Sequence, residues 1–163
     1  MYRVFDDVLS VQEYKTIKDT ITSNNFPWYY EDVITKGDDE SAFFHLLVKE
    51  GKSNSDYTRD VMKIFEERLN IKETYRAKVN LYTRTDNLKI HNYHHDNIGY
   101  NIAIYYFNNN NGYTELKDIA KIESKKNRLL IFDGNIEHRS TNCTDEKRRV
   151  NININYSEDK WKN

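Results

Sequence analysis

After Asn70 the hydrophobic period of this chain changes from 3.6 to 2, and it stays there to the end. Upstream, Val11, Tyr14, Ile17 and Ile21 recur at helical spacing behind Ser10-Val11-Gln12-Glu13, a capping-box pattern, and predict a helix over 11–22. Tyr57, Val61, Ile64, Phe65 and Leu69 predict a second over 56–69, capped by Ser53 or Ser55. Between them, Phe26-Pro27-Trp28-Tyr29-Tyr30 is too aromatic for a solvated loop and is expected to plug one edge of the core. A polar turn over 35–40 and a short buried strand over 42–48 follow.

Downstream, alternation takes over. Ala77, Val79 and Leu81 alternate with Lys78, Asn80 and Tyr82; Tyr100 to Phe107 is a β-branched and aromatic run closed by four asparagines and Gly112. Short strands are expected at 113–116 and 129–132. The last strand, 148–156, is the clearest: Val150, Ile152, Ile154 and Tyr156 alternate with Arg149, Asn151, Asn153 and Asn155. Arg149 therefore shares the polar face, and Arg148 splays outward. Two helices followed by about seven or eight short strands predict a mainly β fold, an antiparallel jelly roll or barrel backed by two helices.

Size and charge bound the function. At 163 residues the chain is expected to form one domain, with a helical support region over 1–70, a β core over 71–156 and a tail over 157–163. A formal charge of -1 removes the broad electrostatic pull that drives nucleic-acid or anionic-membrane binding. The N-terminus lacks a signal-peptide apolar run and no segment approaches transmembrane length, so a soluble, cytoplasmic protein is expected. Cys143 is the only cysteine, which excludes intramolecular disulfides and thiolate-rich zinc sites. Any metal must be held by histidine and carboxylate.

The stretch His91-Asn92-Tyr93-His94-His95-Asp96 offers those ligands. In an extended chain His94 and Asp96 project to one face and His95 to the other. Spacing alone leaves a slipped register using His95 open. His138, just past a buried strand and its turn, is the candidate third ligand. Two histidines and one carboxylate on one face of a divalent metal leave coordination positions open, the arrangement of non-haem Fe(II) oxygenases. Arg149, on the polar face of the next strand, supplies a planar guanidinium suited to a carboxylate. His91 is expected at the rim or behind the ligands.

This order of H-x-D, tyrosine-rich strand, distal histidine and basic residue entering the last strand resembles the Fe(II)/2-oxoglutarate-dependent oxygenases. Within them it is most similar to the prolyl 4-hydroxylase type, including small phage-encoded members. Ile104-Tyr105-Tyr106-Phe107-Asn108 resembles the Ile-Tyr-Tyr-Leu-Asn strand of the hypoxia-sensing prolyl hydroxylases, and the likeness spans about 75–156. The resemblance implies a double-stranded β-helix (a cupin-like jelly roll), with His94, Asp96 and His138 holding Fe(II). It also implies 2-oxoglutarate chelated at its 2-oxo acid end, Arg149 and Tyr106 on its far carboxylate, and Tyr82 in the same pocket. Dioxygen is the second cosubstrate and ascorbate an optional addition. The implied reaction hydroxylates an unactivated C–H, in a prolyl or other peptidyl residue or in a small molecule, and releases succinate and CO2. If the chain is phage-encoded, the compartment is the host cytoplasm.

Three other readings stand beside it. One is a catalytically silent jelly-roll binding module. Another is an oxygenase of nucleic-acid bases, using a patch of Lys121, Lys125, Lys126 and Arg128 against the near-neutral charge. A zinc hydrolase lacks a suitably placed carboxylate base.

Overall fold

The computed structural model describes residues 1–158. Helix α1 (Val11–Ile21) starts at the capping box: the Glu13 amide donates to Ser10 Oγ at 3.3 Å and the Ser10 amide to Glu13 Oε2 at 2.7 Å. Ile17 and Ile21 are buried, but Val11 is 87% exposed and lies off the packed face. Helix α2 (Thr58–Leu69) begins two residues later than expected, with Tyr57 as its uncapped start. Neither serine caps it; Ser55 Oγ instead accepts the Tyr57 amide at 3.1 Å. Asn70, left-handed at φ 49°, ψ 48°, ends α2 and lets β5 (Ile71–Thr83) leave at once. The change of period and the change of structure therefore coincide.

The remaining strands are β1 (Tyr2–Phe5), β2 (Tyr29–Glu31), β3 (Ala42–Lys49), β4 (Lys52–Ser53), β6 (Asn101–Tyr106), β7 (Tyr113–Leu116), β8 (Ala120–Glu123), β9 (Arg128–Asp133), β10 (His138–Ser140) and β11 (Arg148–Glu158). The larger sheet runs β1-β9-β6-β11-β5-β3-β2 with β4 beside β3, and the smaller β10-β7-β8; the ladders are antiparallel. This is a jelly roll, a double-stranded β-helix backed by two helices. The first 70 residues supply four strands as well as the helices. Strands β1, β4, β8 and β10, of two to four residues each, are too short for a period-2 pattern to stand out. β11 runs to Glu158, and the rest of the expected tail lies outside the described residues.

The alternation of β5 and β11 divides two cores. Outward residues Ala77, Val79, Ile152, Ile154 and Tyr156 pack with Ile17, Ile21, Val61, Met62 and Phe65 of the helices. Inward, Ile102, Ile104, Tyr106, Leu130 and Phe132 meet Leu116 and Ile122 of the smaller sheet. Tyr82 pairs with Arg149, Asn80 with Asn151 and Lys78 with Asn153, so polar side chains form rows between the sheets. The aromatic segment divides likewise: Phe26 is 3% exposed in the core, but Tyr29 and Tyr30 on edge strand β2 are 54% and 59% exposed and plug nothing.

Candidate metal centre and anion pocket

The stretch 91–96 is not a regular strand, yet main-chain pairing with β10 fixes its side chains. His94 and His138 exchange both backbone hydrogen bonds at 3.0 Å, which places their side chains on one face. Their rings stand 4.5 Å apart between centroids. Each turns Nδ1 to the carbonyl two residues back, His94 to Asn92 and His138 to Ile136, both at 3.2 Å. A carbonyl only accepts, so Nδ1 carries the proton and Nε2 keeps its lone pair for a ligand. The Thr35 hydroxyl approaches His94 Nδ1 at 3.5 Å.

Asp96 completes the cluster. Its Oδ2 is 3.6 Å from His138 Nε2, and one ligand atom from each of His94, Asp96 and His138 lies within 4.8 Å of the others. Asn153 Nδ2 donates to Asp96 Oδ2 at 2.6 Å, and Asn155 Nδ2 donates to Asn153 Oδ1 at 2.8 Å. Arg76 is 3.9 Å from Asp96 Oδ1. Burial opposes ionisation of Asp96, but His138, the Asn153 amide and Arg76 outweigh it and hold the carboxyl well below the usual carboxylate range. Burial, then the neighbouring His138, pushes the His94 pKa down. The cluster thus brings an anionic carboxylate and two imidazoles to one point, the donor set that ligates a divalent cation. The donor set and the outward-turned Nε2 atoms fit Fe(II) or a similar first-row ion.

Beside the cluster runs a cleft of about 180 Å³, lined by His94, Asp96 and His138 and by Tyr82, Thr114 and Ser140. Arg149 lies behind Ser140 and Thr114. It is fully buried, and its NH1 donates to Ser140 Oγ at 2.7 Å and to the Thr141 carbonyl at 3.1 Å. Its Nε donates to Ser124 Oγ at 2.7 Å and NH2 to Thr114 Oγ1 at 3.2 Å. Tyr106 OH joins the same threonine at 2.9 Å, and the guanidinium carbon lies 5.4 Å from the Tyr82 ring and 5.6 Å from the Tyr106 ring. Among the described residues no carboxylate pairs with Arg149. A buried cation solvated only by neutral groups suits an anion that brings its own charge. Gly112 makes room for it, since a Cβ there would stand 2.6 Å from Arg149 Cδ and 2.3 Å from the Asn142 carbonyl oxygen.

The other histidines separate by environment. His95 is exposed. His91 is not at a rim: it is 2% exposed, with its ring centroid 5.3 Å from that of Tyr82. His45 is buried and satisfied, Nδ1 on the Pro27 carbonyl at 2.6 Å and Nε2 on Ser55 Oγ at 2.7 Å. Sequence reading missed Asn153, Asn155, Arg76, Thr114 and Ser140. The asparagine alternation in β11 held the signal for the first two, but a polar face in sequence looks the same whether it meets solvent or a cleft. The basic patch is largely engaged: Lys125 and Arg128 pair with Asp6 at 2.9 and 2.7 Å, and Lys121 sits 3.7 Å over Tyr113. Among the described residues no helix is long and apolar enough to cross a membrane.

No protein-family model matches the sequence, and neither does any curated protein. The fold is similar to that of an oxidoreductase of the 2OG-Fe(II) oxygenase family from Burkholderia pseudomallei, at TM-score 0.70 and 10% identity over 96% of this chain and 84% of that one. It is similar to a prolyl hydroxylase from Trichoplax adhaerens in complex with a hypoxia inducible factor peptide, at TM-score 0.67 and 12% identity over 96% and 83%. A Pseudomonas putida prolyl-4-hydroxylase aligns at TM-score 0.64 and 9% identity over 96% and 92%. The chain therefore has the fold of the 2-oxoglutarate-dependent Fe(II) oxygenases, with a His-Asp-His cluster capable of holding a metal.

Proposed function

We propose that the protein is an Fe(II)- and 2-oxoglutarate-dependent dioxygenase that hydroxylates an unactivated C–H, in a prolyl or other peptidyl residue, in the cytoplasm. The observation that carries this reading is one cleft with a two-histidine, one-carboxylate cluster on its wall and a buried guanidinium without an acidic partner behind it. His94, Asp96 and His138 would hold the iron, which when bound supplies activation of dioxygen coupled to oxidative decarboxylation of 2-oxoglutarate. Arg149, Tyr106 and Tyr82 would bind and orient that cosubstrate. Asn153 and Asn155 keep the Asp96 carboxylate aimed and ionised, and the paired sheets limit access of water.

The peptidyl substrate draws support from the likeness to a prolyl hydroxylase solved with a peptide. A base oxygenase is disfavoured, because Asp6 neutralises part of the basic patch. The test is turnover: protein loaded with Fe(II), with ascorbate present, should convert 2-oxoglutarate to succinate and CO2 slowly without prime substrate and faster with it. Complete absence of turnover with iron bound would leave the silent binding module as the reading.

A further inference from the structure

His91 is the one buried histidine among the described residues whose two ring nitrogens both lack a hydrogen-bond partner. An imidazole buried this way is costly unless something else satisfies it. The backbone shows where the ring faces. Ile90 bridges Thr141 and His94 bridges His138, so four steps on one strand match three on the other, and the stretch between carries one extra residue, a bulge. That bulge sets His91 opposite Ser140, to whose carbonyl its amide donates at 3.0 Å. Directly paired residues share a face. Ser140 lines the cleft and its hydroxyl holds Arg149, so His91 belongs to the same side, against the Tyr82 ring that also neighbours the guanidinium.

Arg149 itself is short of free donors. Four hydrogen bonds to Ser124, Ser140, Thr141 and Thr114 occupy all but one of its five N–H groups. A carboxylate arriving there finds a full positive charge but room for only one direct guanidinium contact. Beyond the Tyr106 and Tyr82 hydroxyls, a neutral N–H on the same side adds a further donor. Burial, followed by the nearby Arg149 charge, pushes the His91 pKa down to about 4, so at neutral pH the ring keeps one N–H and no charge of its own.

We infer that His91 is a binding residue of the anion pocket, sharing with Arg149 the far carboxylate of the dicarboxylate cosubstrate. The inference rests on reading the cleft as a 2-oxoglutarate site. It assigns the orphaned ring a partner and turns an irregular backbone into a device: the extra residue lets His91 and His94 serve one cleft from an odd spacing.

The test is calorimetric binding of N-oxalylglycine, an unreactive 2-oxoglutarate analogue, to Mn(II)-loaded protein, with oxalate as a metal chelator lacking the far carboxylate. His91→Phe keeps an aromatic ring on Tyr82 and removes both nitrogens. It should weaken N-oxalylglycine about tenfold to a hundredfold, the effect of one hydrogen bond to a charged group, and leave oxalate unchanged. His91→Gln, which restores an N–H, should recover part of the loss. Binding of N-oxalylglycine to His91→Phe within twofold of the native protein would overturn the inference, as would equal weakening of both ligands. His91→Met takes its place if the phenylalanine variant does not fold. Native protein that binds Mn(II) but not N-oxalylglycine would instead refute the reading of the cleft itself.

Discussion

Replacing Asn153 by alanine removes the side chain that aims Asp96. Two bonds go at once: the 2.6 Å contact from Asn153 Nδ2 to Asp96 Oδ2, and the 2.8 Å contact from Asn155 Nδ2 to Asn153 Oδ1. The first is a hydrogen bond to a charged group, of about 1.5–3 kcal/mol; the second leaves a fully buried amide without an acceptor, at about 1–3 kcal/mol. The losses overlap, because Asn155 still accepts the Asn97 amide at 3.1 Å and can shift. A net cost of about 2–4 kcal/mol is expected, which for a domain of this size lowers the melting temperature by roughly 5–15 °C. Metal affinity should fall further than stability alone explains, since loss of a group orienting a ligand typically costs about 10- to 100-fold. Mn(II) titration by calorimetry, well below the melting point of the variant, reads this directly. A lowered melting temperature with Mn(II) affinity within threefold of native would show that Asn153 supports only the sheet and that Asp96 is held without it.

His94→Ala, Asp96→Ala and His138→Ala should each abolish iron-dependent succinate formation, while His95→Ala retains it; retained turnover in Asp96→Ala would mean that another carboxylate ligates. Arg149→Ala should raise the 2-oxoglutarate concentration needed for half-maximal turnover at least tenfold, and Arg148→Ala, exposed, should change it little. Glu13→Gln keeps the α1 cap but loses the ion pair with Arg68, 2.8 Å away, for about 0.5–1 kcal/mol at pH 7. Arg68 chiefly, with Ser10, lowers the Glu13 pKa from 4.5 to about 2, so this stability is present above the ordinary carboxylate pKa. The difference between native and variant in urea titrations should therefore fade as pH falls from 4.5 toward 2.

Much of the fold was legible because β5 and β11 each have one unambiguous apolar face, and because a left-handed Asn70 ends the helical half where the period changes. The metal cluster was legible for a narrower reason. His94 and Asp96 share parity, and β10 sets His138 opposite His94. The rest depended on long-range pairing that alternation does not encode. His91 differs from His94 by an odd number of residues, so a regular strand turns it away, and only the bulge against β10 brings it to the Ser140 side. Asn151 and Asn155 of β11 are polar in sequence and buried in the structure, and Asn153 between them is half-buried in the cleft wall. Tyr29 and Tyr30 show the converse: their aromatic character suggests burial, but β2 is an edge strand and leaves them in solvent.

The most direct measurement is an anaerobic crystal structure with Fe(II) and N-oxalylglycine. The expected result is one ion bonded to His94, Asp96 and His138, with the analogue chelating it and its far carboxylate against Arg149. An ion held by His95 or elsewhere, or an analogue whose far carboxylate points away from Arg149, would contradict the assignment of the cleft.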